Sequence, residues 1–123
     1  MKLKIGRKIK ADEIKRNFNS EYRYLKIEFI NKTSERGDFI LPRSCYLCEI
    51  KELRKDGEIG LHPWQSVKEV KQLFLDQFNL TIKVYSRIKY NWIEITTETE
   101  TLRDLNKKGR EFLNAFYDEF NLL

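Results

Sequence analysis

The sequence predicts an α+β fold, and three observations carry that expectation. Apolar spacing switches along the chain between the period of two that suits a strand and the 3.6 that suits a helix. Ser66-Val67-Lys68-Glu69 and Thr101-Leu102-Arg103-Asp104 both have the spacing of a helix N-cap. From Gly57 to Thr97 the chain reads without interruption as strand, capped helix and two more strands.

The N-terminal part opens with Leu3, Ile5 and Ile9 alternating with Lys2, Lys4, Lys8 and Lys10, a strand with a charged outer face. Asp12 and Glu13 suit the first turn of a helix, where carboxylates meet the positive end of the dipole, and Ile14, Phe18 and Tyr22 form its apolar stripe. From Tyr24 to Ile30 the residues Leu25, Ile27 and Phe29 share one face against Lys26 and Glu28, a second strand. Asn31 to Asp38 is a cluster of loop formers. Cys45 to Ile50 fits either a strand or a helical turn, and Asp56-Gly57 turns the chain into a strand at Glu58 to Leu61.

His62-Pro63-Trp64-Gln65 breaks that strand and Ser66 caps a helix with Val67, Val70, Phe74 and Phe78 on one stripe. The Ser66 hydroxyl is placed to accept from the Glu69 N–H while the Glu69 carboxylate reaches back. Asn79 ends the helix in a left-handed conformation. Ile82, Val84, Ser86 and Ile88 then alternate with Lys83, Tyr85, Arg87 and Lys89, and Lys89-Tyr90-Asn91 turns the chain, with Asn91 expected at positive φ. Trp92 to Thr96 returns as an antiparallel partner. The last helix carries Leu102, Leu105, Phe112, Phe116 and Phe120 with Gly109 on the same face, where glycine either permits close approach or divides the helix.

Lys15-Arg16-Asn17-Phe18 with Tyr22 and Leu25-Lys26-Ile27 corresponds to Lys71-Gln72-Leu73-Phe74 with Phe78 and Leu80-Thr81-Ile82. Two β-α-β halves closing into one sheet would make a two-layer sandwich of the ferredoxin-like kind, with an added β-hairpin and a C-terminal helix.

With 123 residues the chain reads as one domain, 1–123, large enough to bury roughly two-thirds of its unfolded surface. The 41% apolar and 35% charged content is that of a soluble protein, and no apolar run approaches the roughly 20 residues of a membrane span. Met1-Lys2-Leu3-Lys4-Ile5 lacks the apolar core of a secretory signal, and two cysteines suit a reducing compartment, so the expected location is cytoplasmic. Net charge is +5, and residues 1 to 16, with seven basic and two acidic side chains, hold all of the excess.

Catalytic means are scarce. His62 is the only histidine, and before Pro63 and Trp64 it ends a strand more naturally than it serves as a base. Cys45-Tyr46-Leu47-Cys48 has the CxxC spacing of a thiol redox pair, but its context is not that of a thioredoxin-like motif, and two thiols make half a zinc site. No metal, cofactor or catalytic residue is therefore expected, and the chain does not read as an enzyme.

Leu25-Lys26-Ile27-Glu28-Phe29, His62-Pro63-Trp64 before Ser66-Val67-Lys68-Glu69, and Trp92-Ile93-Glu94-Ile95-Thr96-Thr97 look like segments of a small bacterial family of uncharacterised proteins. The resemblance spans most of the chain; it implies a single domain and transfers no functional residue.

Two surfaces stand out for binding. Lys83, Tyr85, Arg87 and Lys89 project from one face of the strand 82–89 with no acidic residue from Thr81 to Asn91, and Phe116 and Phe120 continue the apolar stripe of the last helix. The first expectation is a protein–protein interaction module acting through the sheet face or that helix, with a homodimer as one form. The alternative is a nucleic-acid binder in which the cations follow phosphates and Tyr85 stacks a base, and a thiol redox protein through Cys45 and Cys48 is third.

Overall fold

The structure, a computed structural model, describes residues 1–33, 37–42, 45–47 and 56–121, with backbone alone at 32–33, 37–39 and 114–121. The elements in chain order are β1 (Lys2–Ile5), α1 (Ala11–Glu21), β2 (Leu25–Thr33), β3 (Gly37–Ile40), β4 (Gly57–Gly60), α2 (Val67–Phe78), β5 (Thr81–Ile88), β6 (Asn91–Glu94) and α3 (Leu102–Asn121). The class is α+β. Among the described residues the strands form two antiparallel sheets, a pair β1-β4 and a four-stranded sheet in the order β3-β2-β5-β6.

The two β-α-β halves meet like with like. Leu3 lies opposite Ile59 in the pairing of the two first strands, and Ile27 lies opposite Val84 in the pairing of the two second strands. Neither half has its own two strands side by side, and the halves do not close into the single sheet expected from the sequence: the first strands pair only with each other and the second strands join the other sheet, so each half depends on the other for its backbone hydrogen bonds.

Several boundaries differ from the sequence expectation. Ile9 is not in the first strand; the chain turns after Ile5, and the Ile9 N–H donates to the Gly6 carbonyl. Asn31 to Thr33 stays in β2 rather than opening a loop, because its backbone pairs with β3 at the sheet edge, where polar side chains are tolerated. Within the Cys45 region, Tyr46 bridges Lys10 and the Cys45 carbonyl accepts from the Ala11 N–H. That backbone contact caps α1, whose Lys10 offers no side-chain cap.

Burial follows the alternation except at Glu28 and Ile30, which have outward parity in β2 yet are only 8% and 4% exposed. Leu25, Ile27 and Phe29 of β2 and Ile82 and Val84 of β5 are buried on one side, where Phe74 of α2 meets Phe29 edge-on at 6.1 Å. Phe18 of α1 and Phe78 of α2 complete the centre. Asn79 ends α2 at φ 56° and ψ 35°, with the Leu80 N–H donating to the Phe74 carbonyl, so the left-handed cap read from sequence is present.

The two N-caps lie side by side. Ser66 Oγ accepts from the Glu69 N–H at 3.2 Å and Thr101 Oγ1 from the Asp104 N–H at 3.2 Å, as the sequence suggests. The Glu69 carboxylate, however, accepts from the Ser66 hydroxyl at 3.3 Å instead of its backbone N–H. Each segment then caps the other helix: the Val67 and Lys68 N–H groups donate to the carbonyls of Glu100 and Glu98, and those of Leu102 and Arg103 to the carbonyls of Gln65 and Pro63. Donors that a helix start leaves without partners are thus exchanged between α2 and α3. Ser66→Ala and Thr101→Ala are each expected to cost about 1 kcal/mol. A double-mutant cycle by urea unfolding should show coupling of at least about 0.5 kcal/mol between these neighbours; strict additivity would mean the caps act alone.

The last helix is continuous for 20 residues through Gly109, so the glycine does not divide it. A Cβ at Gly109 would stand 2.4 Å from the Cβ of Tyr24 and 3.5 Å from the Arg87 carbonyl oxygen. Close approach is therefore its role, and Asn106 Oδ1 beside it accepts from the Tyr24 N–H at 3.0 Å.

Candidate functional site

Leu25, Ile27 and Phe29 face inward along β2, so Lys26 and Glu28 face the other way. Val84 facing inward likewise turns Lys83, Tyr85 and Arg87 outward. The antiparallel register then sets Lys26 opposite Tyr85, Glu28 opposite Lys83, Glu94 opposite Tyr85 and Trp92 opposite Arg87. One face thus gathers cations, carboxylates and two large aromatic rings from three strands.

Lys83, Tyr85 and Arg87 share this face as the sequence suggests, whereas Lys89 lies beyond the end of β5. Lys89 sits in the hairpin turn at φ 57°, with Ile88 and Asn91 paired on either side, and it takes the positive φ expected of Asn91. A two-residue connection leaves Asn91 as the first residue of the return strand, where its φ must be extended. The Lys89 carbonyl oxygen accepts from Arg87 Nε at 3.1 Å, which ties the turn to the face.

The row is also less basic than its sequence. Lys83 Nζ lies 3.1 Å from Glu94 Oε1. Glu28, only 8% exposed, accepts from Lys15 Nζ of α1 at 2.8 Å and lies 3.6 Å from Lys26 Nζ. Lys26 in turn holds its ammonium 5.3 Å from the centre of the Tyr85 ring and 5.1 Å from that of Trp92. An ammonium over two ring faces is attracted by both. Burial, and then the Glu94 carboxylate, raise the Tyr85 phenol above its ordinary value against a weaker opposite pull from Lys83, so this phenol is a neutral donor at physiological pH.

Sequence reading missed Lys26, Lys15, Glu28 and Trp92 as members of the face. The signal for Lys26 and Trp92 was their outward parity; what it lacked was the register that sets them across from Tyr85 and Arg87. Lys15 carried no such signal, since it arrives from a helix at the open edge of β2, which Asn19 holds by donating from Nδ2 to the Leu25 carbonyl at 2.8 Å.

A second feature lies on the opposite side of the hairpin. Ser86, Ile88, Ile93 and Ile95 form a shallow cleft with Leu105 and Phe112 of α3, of about 200 Å³, rimmed by the 2.6 Å pair of Lys108 with Glu100. Ile93 and Phe112 are 48% and 51% exposed there. The side chains of Phe116 and Phe120 lie outside the described residues, as does Cys48.

The remaining candidates stay apart from one another. Cys45 is half-buried and packs on the core. His62 is exposed, its N–H donating to Gln65 Oε1 at 2.8 Å and its ring stacked on Trp64 at 4.5 Å, so it shapes the turn before α2. Among the described residues no three His, Cys, Asp or Glu side chains cluster as a metal ion would require, and no helix is long and apolar enough to cross a membrane. No family model matches the chain, and neither a curated protein nor a solved structure matches it.

Proposed function

We propose that this chain is a non-catalytic binding module that engages another protein through the outer face of the four-stranded sheet. The observation that carries the reading is the Lys26 ammonium held over Tyr85 and Trp92 with Arg87 opposite Trp92. Tyrosine, tryptophan and arginine are the side chains that dominate protein interfaces, because they bury large area at small entropic cost and keep a polar tip. Here both rings already hold the lysine as a partner, which lowers the ordering cost of binding. The paired charges around them suit a partner with its own mosaic of charge. In this reading the sheet is one layer and the helices the other, a two-layer sandwich built from two ferredoxin-like β-α-β repeats, with one face given to the core and one to the partner. The module acts in the cytoplasm and needs no cofactor.

Nucleic acid is the second reading, favoured by cations and aromatic rings on a single sheet face. The pairings Lys83–Glu94 and Lys15–Glu28–Lys26 weaken it, since each carboxylate repels a phosphate. Trp92→Ala and Arg87→Glu should each weaken protein binding by about 2 kcal/mol, roughly thirtyfold, while leaving the thermal transition in place. Affinity capture from native cells with the wild type and both variants measures this. A random single-stranded oligonucleotide, titrated across a salt series, is expected to bind weakly; tight binding that falls steeply with salt and is lost in both variants would replace the protein reading.

A further inference from the structure

The strand β6 is the end strand of the four-stranded sheet, and among the described residues β5 is the one strand paired with it. The Ile95 N–H donates to the Val84 carbonyl at 2.9 Å, which fixes the parity of the backbone, so Ile93 and Ile95 turn their N–H and C=O groups to β5. Those of Trp92 and Glu94 therefore point away from the sheet, along its open edge.

Nothing in the strand blunts that edge. Proteins keep open edges from pairing by placing lysine, proline, a bulge or a covering element there. β6 has no lysine or proline, its register with β5 runs without a bulge from Asn91 to Glu94, and none of its residues is buried. Its one charge, Glu94, lies on the outer face, 3.1 Å from Lys83 Nζ. On the inner face Ile93 is 48% exposed and lines the shallow cleft together with Phe112, itself 51% exposed. An exposed isoleucine in an unprotected edge, with outward backbone donors and acceptors on both sides of it, is the surface that another strand extends.

The strand that fits is β6 itself. An antiparallel copy centred on Ile93 sets Trp92 against Glu94 and Glu94 against Trp92, so each outward N–H meets an outward carbonyl. The two Ile93 residues then form a non-hydrogen-bonded pair, the kind whose side chains lie closest, with Cα atoms about 4.5 Å apart. Centring on Trp92 instead would leave Glu94 opposite Tyr90 of the turn and Ile93 opposite Asn91, which removes both matches. A two-fold axis through Ile93 stands perpendicular to the sheet, so both copies of Ile93 and Phe112 lie on one side of it and the two clefts adjoin.

We propose that two copies of this chain join edge to edge through β6, in register about Ile93, to form one sheet in the order β3-β2-β5-β6-β6-β5-β2-β3. The contact is isologous and uses both β6 edges at once, so it closes as a dimer. It leaves the outer face open and does not depend on what that face binds.

Sedimentation equilibrium of the full chain from about 5 to 500 µM, in about 50 and 500 mM NaCl, tests this. The edge is short, at the small and weak end of protein interfaces, so a Kd of about 100 µM is expected. Backbone bonds and an isoleucine carry the contact, so Kd should change less than about threefold between the two salt concentrations. Ile93→Lys sets two ammonium groups against each other on the axis and should raise Kd at least about tenfold while keeping the wild-type circular dichroism. Amide hydrogen exchange by NMR needs no variant: the Trp92 and Glu94 N–H groups should exchange about threefold more slowly at about 500 µM than at about 20 µM, while that of Ile93, already bonded to β5, changes little. A chain that is monomeric at about 500 µM, a dimer indifferent to Ile93→Lys, or a dimer whose Trp92 and Glu94 amides exchange equally at both concentrations overturns the inference. A monomer that still captures a protein lost on Arg87→Glu removes the dimer alone and leaves the sheet-face reading in place.

Discussion

Replacing Gly109 with alanine is expected to lower stability by about 2 kcal/mol or more, against the roughly 1 kcal/mol that alanine ordinarily adds inside a helix. The new methyl would fall 2.4 Å from the Tyr24 Cβ and 3.1 Å from its Cγ. A Cβ cannot swing aside as the end of a long side chain can, so either β2 or α3 must move. Moving α3 stretches the bond from the Tyr24 N–H to Asn106 Oδ1, and moving Tyr24 strains the bond from the Arg87 N–H to the Tyr24 carbonyl, 2.9 Å at present. A fall in Tm on the order of 10 °C by circular dichroism is the expected result. A variant as stable as the wild type would show that α3 is not seated on this end of the sheet.

Phe74→Ala is expected to cost about 3–5 kcal/mol, a large part of the stability of a domain of this size. Phe74 is fully buried, meets Phe29 edge-on, and belongs to the turn of α2 whose carbonyl receives the Leu80 N–H beyond Asn79. Its loss opens a cavity where α2 meets β2 and removes the aromatic contact between a helix of one half and a strand of the other. Phe74→Leu fills most of that volume and should cost about half as much. Urea denaturation of the two variants measures both, and a loss under about 1 kcal/mol for alanine would mean that the halves are joined elsewhere.

How much of the binding face was legible follows from which of its properties are local. The alternation along β5 is local: Ile82 and Val84 inward forces Lys83, Tyr85 and Arg87 outward. Whether those cations are available to a phosphate is not local, because it depends on Glu94 arriving opposite Tyr85 and Glu28 opposite Lys83. The hairpin shows the same division. A turn near Tyr90 is written in the sequence, yet its placement one residue earlier, with Lys89 and not Asn91 at positive φ, is decided by the pairing of Ile88 with Asn91.

By itself the sequence determined the helices, the side-chain N-caps of α2 and α3, the left-handed end of α2 and the parity of the strands. Ser66 and Thr101 accept from the third residue of their helices, and Asn79 turns left-handed, because each depends on a few neighbouring dihedral angles and one short hydrogen bond. Only the tertiary structure decided that β1 pairs with β4 and β2 with β5, that α2 and α3 cap each other, and that Gly109 serves close approach. Leu3 and Ile59, or Ile27 and Val84, are more than fifty residues apart. An apolar pattern tells each strand which face to bury, but it carries no information about which distant strand will lie beside it.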